Sequence, residues 1–335
     1  MSSFALPSDL DDAFADSLLT DLAEVEKRLN DAVATHDAMA QWTAKHLMVA
    51  GGKRIRPLLV LLAAHLGEGT NDKVLDAAVL VELTHLASLY HDDVMDGATT
   101  RRGTRAAHQV WGNNVAILTG DFLFARASAL SAKLGPEAVL LHANTFERLC
   151  LGQLNETVGP AENADAFQHY ISVLENKTGS LIAAAGILGA QLGNAAADTV
   201  GALGRYGEAV GVAFQLADDV IDLRSNPETS GKTPGTDLRE GVPTMPTLLL
   251  RQRHADGDDA PGTTAVLHAI ESDLESDDAL QHAVKLLAAD PATDRTQELA
   301  DEYGDEAIDI ISDLPESQAR SALLEFTTQL VRRSA

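Results

Sequence analysis

Apolar side chains recur at steps of three or four residues along most of this chain. Residues 73–90 show the spacing at Val74, Leu75, Ala78, Val79, Leu83, Leu86 and Leu89. Such spacing places the apolar side chains on one face of a helix. Similar patterns cover residues 120–134, 136–154, 166–192, 199–223 and 301–332. Strand-like alternation is scarce, so the pattern predicts an all-α fold, a bundle of many helices around a central apolar cavity.

Segments rich in Gly, Pro, Asn and Asp separate the helical patterns and predict loops. They are residues 67–71, 97–103, 159–163, 226–241 and 256–263. No change of composition divides the 335 residues, 45% of which are hydrophobic, and a chain of this length can form one large core. We therefore expect a single domain over residues 1–335.

The charge balance limits the classes of partner. Asp and Glu number 50 against 25 Lys and Arg, a net charge of −25, which repels nucleic acid and anionic lipid. The single cysteine, Cys150, forms no intrachain disulfide. The N-terminal segment is acidic and lacks Arg, unlike a targeting peptide, and the apolar runs are shorter than the roughly 18 residues of a membrane span. We expect a cytoplasmic protein without a membrane span.

Two D-D-x-x-D motifs stand at the ends of helical patterns. Asp92, Asp93 and Asp96 form the first motif, and Asp218, Asp219 and Asp222 form the second. In a helix, positions i and i+4 share one face, so the first and last aspartates of each motif point the same way. Carboxylates crowded in one turn repel one another unless a cation offsets them, and their oxygens suit Mg²⁺. The alternative reading is that acidic helix ends arise by chance in so acidic a chain.

Basic residues cluster in two places. Lys53, Arg54 and Arg56 lie within the segment G-G-K-R-I-R-P at residues 51–57, and Arg101 and Arg102 follow the first motif. Only 25 of 335 residues are Lys or Arg, so three within four positions is a dense group. Because Arg binds phosphate oxygens with a planar fork, these groups predict a diphosphate site. A solvated basic turn is the alternative.

These motifs together resemble the trans-isoprenyl diphosphate synthase family. The resemblance rests, in chain order, on G-G-K-R-I-R-P, H-D-D-V-M-D, R-R-G, K-T, F-Q-L-A-D-D-V-I-D and G-K-T-P-G-T-D-L-R-E-G. It is greatest to the bacterial medium- and long-chain polyprenyl diphosphate synthases, and the motif-bearing core covers about residues 45–250. The resemblance implies the isoprenoid synthase fold, a homodimer, and Mg²⁺, with three ions when substrate is bound. Apolar segments such as residues 181–192 are candidates for the dimer surface.

The resemblance also implies roles for individual residues. Metal binding falls to Asp92, Asp96, Asp218 and Asp222, and catalysis to these four with Asp93, Asp219, Lys177 and Arg101. Isopentenyl diphosphate is bound by Lys53, Arg56, His85 and Arg102, and the allylic diphosphate by Arg101, Lys177, Thr178, Gln215 and Lys232. Gln153 and Glu156 form a polar pair near the reacting centre. Val242 departs from the pattern, because short-chain members often have a lysine there.

The reaction implied by the resemblance is repeated prenyl transfer. The allylic diphosphate ionises, the double bond of isopentenyl diphosphate attacks the cation, and a proton is lost, which leaves an allylic diphosphate one isoprene unit longer. Repetition gives a long all-trans polyprenyl diphosphate, which we expect to supply a quinone side chain.

Product length depends on how far the growing chain can extend below the first motif. Ala87 and Ser88 stand five and four residues before Asp92, where early-stopping family members tend to carry an aromatic ring. Both side chains are small, which predicts a long product. The alternative is that another side chain closes the channel and the enzyme is a short-chain farnesyl or geranylgeranyl diphosphate synthase.

Three other classes of protein are weighed against this interpretation. A class I terpene cyclase normally has a single D-D-x-x-D and needs no isopentenyl site. A squalene-synthase-like enzyme would show a different acidic pattern. A non-catalytic subunit of a heteromeric prenyl synthase typically loses aspartates, and this chain retains both motifs.

Overall fold

Helices form nearly all of the regular structure in the computed structural model, which describes residues 10–225, 234–258 and 260–332. The helices up to the second motif are Asp12–Ala32 (α1), Ala38–Val49 (α2), Ile55–Ala64 (α3), Asp72–Met95 (α4), Ala107–Trp111 (α5), Asn113–Leu134 (α6), Pro136–Val158 (α7), Ala166–Leu174 (α8), Ser180–Leu192 (α9) and Ala197–Arg224 (α10). Further helices span Thr236–Glu240, Met245–Ala255, Pro261–Ile270, Asp277–Ala288, Pro291–Ser312 and Gln318–Val331. The predicted all-α fold is confirmed.

Side-chain caps start two helices near the candidate site residues, α4 and α8. The Asn71 side chain accepts hydrogen bonds from the amides of Lys73 and Val74 at the start of α4. Asp165 does the same for Phe167 and Gln168 at the start of α8. Such caps satisfy amides that have no partner within the first turn.

Two predicted helices are interrupted. The pattern over residues 166–192 is broken by a π-helical turn, Glu175–Gly179, and the pattern over residues 301–332 by residues 313–317, which include Pro315. Proline cannot donate the helical hydrogen bond, whereas a π turn inserts one residue with little effect on the apolar pattern. The predicted loop at residues 256–263 is also too long, because a helix begins at Pro261.

A short hairpin was not predicted. Strands Thr100–Arg101 and Thr104–Arg105 pair in an antiparallel ladder directly after the first motif. The turn between them uses positive φ angles at Arg102 and Gly103. Strands of two residues are too short to show alternation, so periodicity does not detect them.

The described chain forms two compact units. The first comprises the described residues of Met1–Arg148, Ser180–Gly207 and Ile310–Phe326. In this unit α4 packs against α1, α3, α6 and α9, and α9 also packs against α3. A Cβ atom at Gly189 would overlap the Val60 carbonyl, so α9 and α3 are in backbone contact. Residues 181–192 are therefore wrong as a dimer surface, because their apolar side chains are mostly buried within their own chain.

The second unit comprises the described residues of Leu149–Gly179, Glu208–Asp309 and Thr327–Ala335. One of its apolar clusters surrounds the end of α8 and the second half of α10 and includes Ile171, Leu174, Leu216 and Met245. Tyr170 and Tyr303 pack against this cluster. A single polyprenyl synthase domain over the whole chain stays a prediction.

One described helix, α6, has the length and apolar composition of a membrane span, and 33% of its most apolar window is buried within the protein. The helix also carries Asp121, Arg126 and Lys133 and packs against α4. One face of α6 is buried, and another carries exposed apolar side chains such as Leu118.

Candidate active site

The first motif occupies the last turn of α4. The Asp96 amide donates to the Asp92 carbonyl at 2.8 Å, which extends the helical pattern to the end of the motif. Asp92 is half-buried and Asp96 exposed, whereas Asp93 is fully buried. Arg101 Nε donates to Asp93 Oδ1 at 2.6 Å, and the second carboxylate oxygen of Asp93 is buried without a hydrogen-bond partner among the described residues.

Two arginines of the first unit, Arg54 and Arg102, contact a buried glutamate, Glu82. Arg54 Nη1 lies 2.8 Å from Glu82 Oε1, and Arg54 also binds Glu26. Arg102 donates to the carbonyls of Gly51 and Leu47 and has Nη2 3.9 Å from Glu82 Oε1. Glu82 is only 2% exposed. Its negative charge offsets part of the repulsion among the arginines.

Arg56 and His85 lie beside this arginine group. Burial lowers the pKa of Arg56 to about 10, and the attraction of Glu82 works against that shift. The guanidinium therefore stays charged at neutral pH, although its Nε has no hydrogen-bond partner in the described part of the chain. Burial, followed by the positive charge of Arg56 and Arg102, holds the pKa of His85 well below 6.5. His85 is therefore neutral at neutral pH, and its role in binding isopentenyl diphosphate stays a prediction.

The half-buried face of α4 that carries Asp92 continues from the first motif toward the start of the helix. Asp92, Ser88 and His85 are all half-buried and lie three or four residues apart, on one face of the helix. Ala87 is fully buried, and a Cβ at Gly120 of α6 would lie 3.1 Å from its carbonyl oxygen. Of the two predicted chain-length residues, only Ser88 shares the open face with Asp92.

The second motif lies in the last two turns of α10. Asp218 and Asp222 are half-buried, whereas Asp219 is 3% exposed. Asp219 Oδ2 accepts hydrogen bonds from the Tyr170 hydroxyl at 2.8 Å and from the Met245 amide at 3.0 Å. Burial raises the pKa of Asp219 to about 8, and both donors partly oppose the rise.

The remaining predicted residues of the second unit come together around the π-helical turn. Lys177 forms an ion pair with Glu156, and Thr178 Oγ1 donates to Gln215 Oε1 at 3.3 Å. Gln153, one residue after Gly152, has a buried Oε1 without a partner in the residues described. A Cβ at Gly152 would lie 2.8 Å from the Lys177 amide nitrogen, so only glycine allows α7 to approach the turn this closely.

Some sequence predictions remain outside these observations. Lys232 lies outside the described residues, and Lys53 is exposed. The first motif belongs to one compact unit and the second to the other. That the two motifs face each other stays a prediction.

Sequence reasoning missed two residues of the site, Glu82 and Tyr170. Glu82 had a detectable signal, because it interrupts the apolar run V-L-V-E-L in α4, and a charge on a buried helix face needs a partner. Tyr170 had none, since its partner Asp219 is 49 residues away in the chain.

The carboxylates of the two motifs can be compared with the ligands that a divalent cation prefers. Each motif offers two accessible carboxylates, and no closed group of three or more His, Cys, Asp or Glu side chains occurs in the described ranges. Two carboxylates per motif suit a cation such as Mg²⁺, which keeps several waters and also binds substrate phosphates. The half-buried arginines suit phosphate oxygens. On a helical fold, these aspartates and arginines suit an enzyme that acts on diphosphates.

Comparison with known proteins identifies the family. Residues 38–287 match the family described as polyprenyl synthetase, and the chain belongs to it. The chain is 42% identical to the nonaprenyl diphosphate synthase of Mycobacterium tuberculosis over 324 residues, which cover 95% of each protein. The predicted family and its enzyme class, prenyl diphosphate synthase, are confirmed.

Solved structures agree with this assignment. A geranylgeranyl pyrophosphate synthase from Corynebacterium glutamicum, complexed with calcium and isoprenyl diphosphate, superimposes with a TM-score of 0.85 at 39% identity and covers 98% of this chain and 99% of its own. A decaprenyl diphosphate synthase from Rhodobacter capsulatus gives a TM-score of 0.84 at 32% identity, with 96% and 98% covered. The isoprenoid synthase fold predicted from the sequence is therefore confirmed.

Proposed function

We propose that this chain condenses an allylic diphosphate with isopentenyl diphosphate and repeats the step to form a long all-trans polyprenyl diphosphate. One observation carries the proposal. In both motifs the first and last aspartates are half-buried or exposed, whereas the middle one is buried and accepts a hydrogen bond from a side chain. Each helix end therefore presents a pair of carboxylates on one face, which a diphosphate with divalent cations can bridge.

Asp92, Asp96, Asp218 and Asp222 would hold divalent cations. In the proposed reaction the cation is Mg²⁺, and three ions are bound together with the substrate. When bound, they supply positive charge that stabilises the leaving diphosphate. The complex of the Corynebacterium relative with calcium and isoprenyl diphosphate supports a divalent cation in this family.

Basic residues are proposed to hold the two substrates. Arg56, Arg102 and His85, with Lys53, are suited to isopentenyl diphosphate, because the half-buried Arg56 has a guanidinium donor, Nε, without a hydrogen-bond partner among the described residues. Lys177, Thr178, Gln215 and Arg101 are suited to the allylic diphosphate. Held beside each other, the two substrates react without the entropy cost of a second encounter, and the guanidinium and ammonium groups stabilise the charge that develops on the diphosphate.

Long-chain synthesis is favoured over the short-chain alternative by the small side chains at Ala87 and Ser88 and by the nonaprenyl relative at 42% identity. Because a geranylgeranyl pyrophosphate synthase is also similar, at 39% identity, the experiment must distinguish long-chain from short-chain products. Purified protein with Mg²⁺, labelled isopentenyl diphosphate and an allylic primer should give linear diphosphates longer than twenty carbons by chromatography. Products that stop at geranylgeranyl diphosphate would contradict the long-chain proposal. No turnover would favour a non-catalytic subunit.

The chain-length determinant can be tested at two neighbouring positions. Ser88→Phe places a ring on the half-exposed face of α4 below Asp92, so it should shorten the products. Ala87 lies off that face and is fully buried against α6, so Ala87→Phe should chiefly reduce stability. Unchanged product length in a folded Ser88→Phe enzyme would contradict a channel along this face.

A homodimer is proposed to form through α6 and the first part of α7. Large apolar side chains are exposed there in the first unit: Ile117, Leu118, Val139, Leu140 and Phe146. Burial of such a surface is favourable at about 25 cal/mol per Å². A second copy of this chain is the expected occupant, and sedimentation analysis of Leu118→Asp against wild type would show whether the dimer is lost.

A cytoplasmic location is also proposed for this protein.

A further inference from the structure

Asp219 is held at one carboxylate oxygen by two donors from different segments. The Tyr170 hydroxyl comes from α8, and the Met245 amide opens the helix Met245–Ala255. Amides in the first turn of a helix carry partial positive charge and lack partners within the helix. Both donors therefore stabilise the carboxylate in one orientation.

This anchoring fixes the direction of the other aspartates in the motif. Successive side chains on a helix are about 100° apart, and positions i and i+4 share a face. With Asp219 pinned inward, Asp218 and Asp222 are turned to the half-exposed side of α10. A small rotation of the helix end would separate or redirect these two carboxylates.

Tyr170 also joins the two parts of the second unit that carry the candidate chemistry. Its helix, α8, continues into the π-helical turn that holds Lys177 and Thr178. Thr178 Oγ1 donates to Gln215 Oε1 at 3.3 Å, one turn before Asp219. These hydrogen bonds connect α8 and its π turn to α10, and the bond from Tyr170 reaches a residue of the motif itself.

We infer that Tyr170 is a positioning residue for divalent cation binding: its hydroxyl anchors Asp219, and the anchored Asp219 orients Asp218 and Asp222 as ligands. The inference rests on the proposed function. A group hydrogen-bonded directly to a metal ligand typically contributes about 10–100-fold to metal affinity, and because Tyr170 acts one step further away, through Asp219, the lower end of that range is expected.

Tyr170→Phe tests the inference because the ring remains in its apolar cluster and only the hydroxyl is lost. Binding of Mn²⁺ in the presence of inorganic diphosphate is measured by electron paramagnetic resonance. The Mn²⁺ concentration for half-saturation should rise by about tenfold. The KM for isopentenyl diphosphate should stay within about twofold of wild type, since that substrate has a separate set of proposed contacts.

Tyr303→Phe is the matched control, because Tyr303 packs against the same apolar cluster. Thermal unfolding without metal shows whether either substitution disturbs packing. A merely structural role of Tyr170 would change the unfolding temperature and leave Mn²⁺ affinity near wild type. That result, or an equal loss of Mn²⁺ affinity in Tyr303→Phe, would overturn the inference.

The outcome is separable from that of the proposed function. If wild type binds Mn²⁺ with diphosphate but transfers no prenyl group, the proposed reaction fails, and the variant still decides the role of Tyr170. If prenyl transfer occurs and Tyr170→Phe binds Mn²⁺ as wild type does, only the positioning role fails. Absence of Mn²⁺ binding in wild type would overturn both.

Discussion

In the first aspartate motif the buried middle carboxylate is held by a cation, and in the second by neutral donors. Asp93 receives the guanidinium of Arg101 at 2.6 Å. Asp219 receives a tyrosine hydroxyl and a backbone amide. The two motifs have the same sequence pattern, D-D-x-x-D, so the pattern alone does not show how each is supported.

The electrostatic consequence differs between the motifs. Burial raises the pKa of Asp93, and the charge of Arg101 opposes that rise. Burial raises the pKa of Asp219 to about 8, against hydrogen bonds from Met245 and Tyr170. A full positive charge offsets desolvation of a carboxylate better than neutral dipoles do. The first motif is therefore built into a field of arginines, and the second into a network of hydrogen bonds.

The largest expected effect is a difference in kcat/KM between variants of an outer aspartate and of the middle aspartate of the second motif. Asp218→Asn should lower kcat/KM for prenyl transfer by on the order of 10³, because a proposed metal ligand loses its charge. Asp219→Asn keeps an acceptor oxygen for Tyr170 and Met245, so its loss should be nearer to about tenfold. Steady-state kinetics over a range of Mg²⁺ concentrations measures both. Equal losses would show that the middle aspartate is itself a ligand.

The cation of the first motif can be removed directly. Arg101→Met leaves Asp93 buried without its partner and should reduce the free energy of unfolding by about 3 kcal/mol. Denaturant unfolding followed by circular dichroism measures the change. The double variant Arg101→Met with Asp93→Asn should recover most of the loss, because the neutral amide needs no counter-charge. A double variant no more stable than Arg101→Met would refute the ion pair as the support of this motif.

The smallest expected effect is a pH dependence of stability caused by His85, which lies beside the arginines near the first motif. Its pKa in the folded protein lies well below 6.5, from burial first and from neighbouring arginines second. As pH falls below about 6.5, the unfolded chain takes up a proton that the folded protein does not, so stability falls with pH, by at most about 1.4 kcal/mol per unit. His85→Asn should make this decrease shallower. An NMR titration in which the His85 ring protonates near pH 6.5 would contradict the assignment.

The sequence predicted the helices and motifs well because both are local. Apolar spacing located α4, α6, α7 and α10 to within several residues at their ends, and the spacing of the aspartates placed the outer pair of each motif on one face. The π turn at Glu175–Gly179 escaped the pattern, and it lies where Gly152 and Gly211 of other helices approach closely in space, which no local spacing reveals.

The sequence by itself determined the all-helical fold, the family and the identity of the outer aspartates, because these depend on residue type and on spacing within a few turns. Only the tertiary structure decided that Asp93 and Asp219 are buried, that Glu82 lies among the arginines, and that Tyr170 holds Asp219 across 49 residues of chain. Burial and hydrogen-bond partners depend on which distant segments meet when apolar faces pack, and no local pattern in a single sequence specifies that meeting.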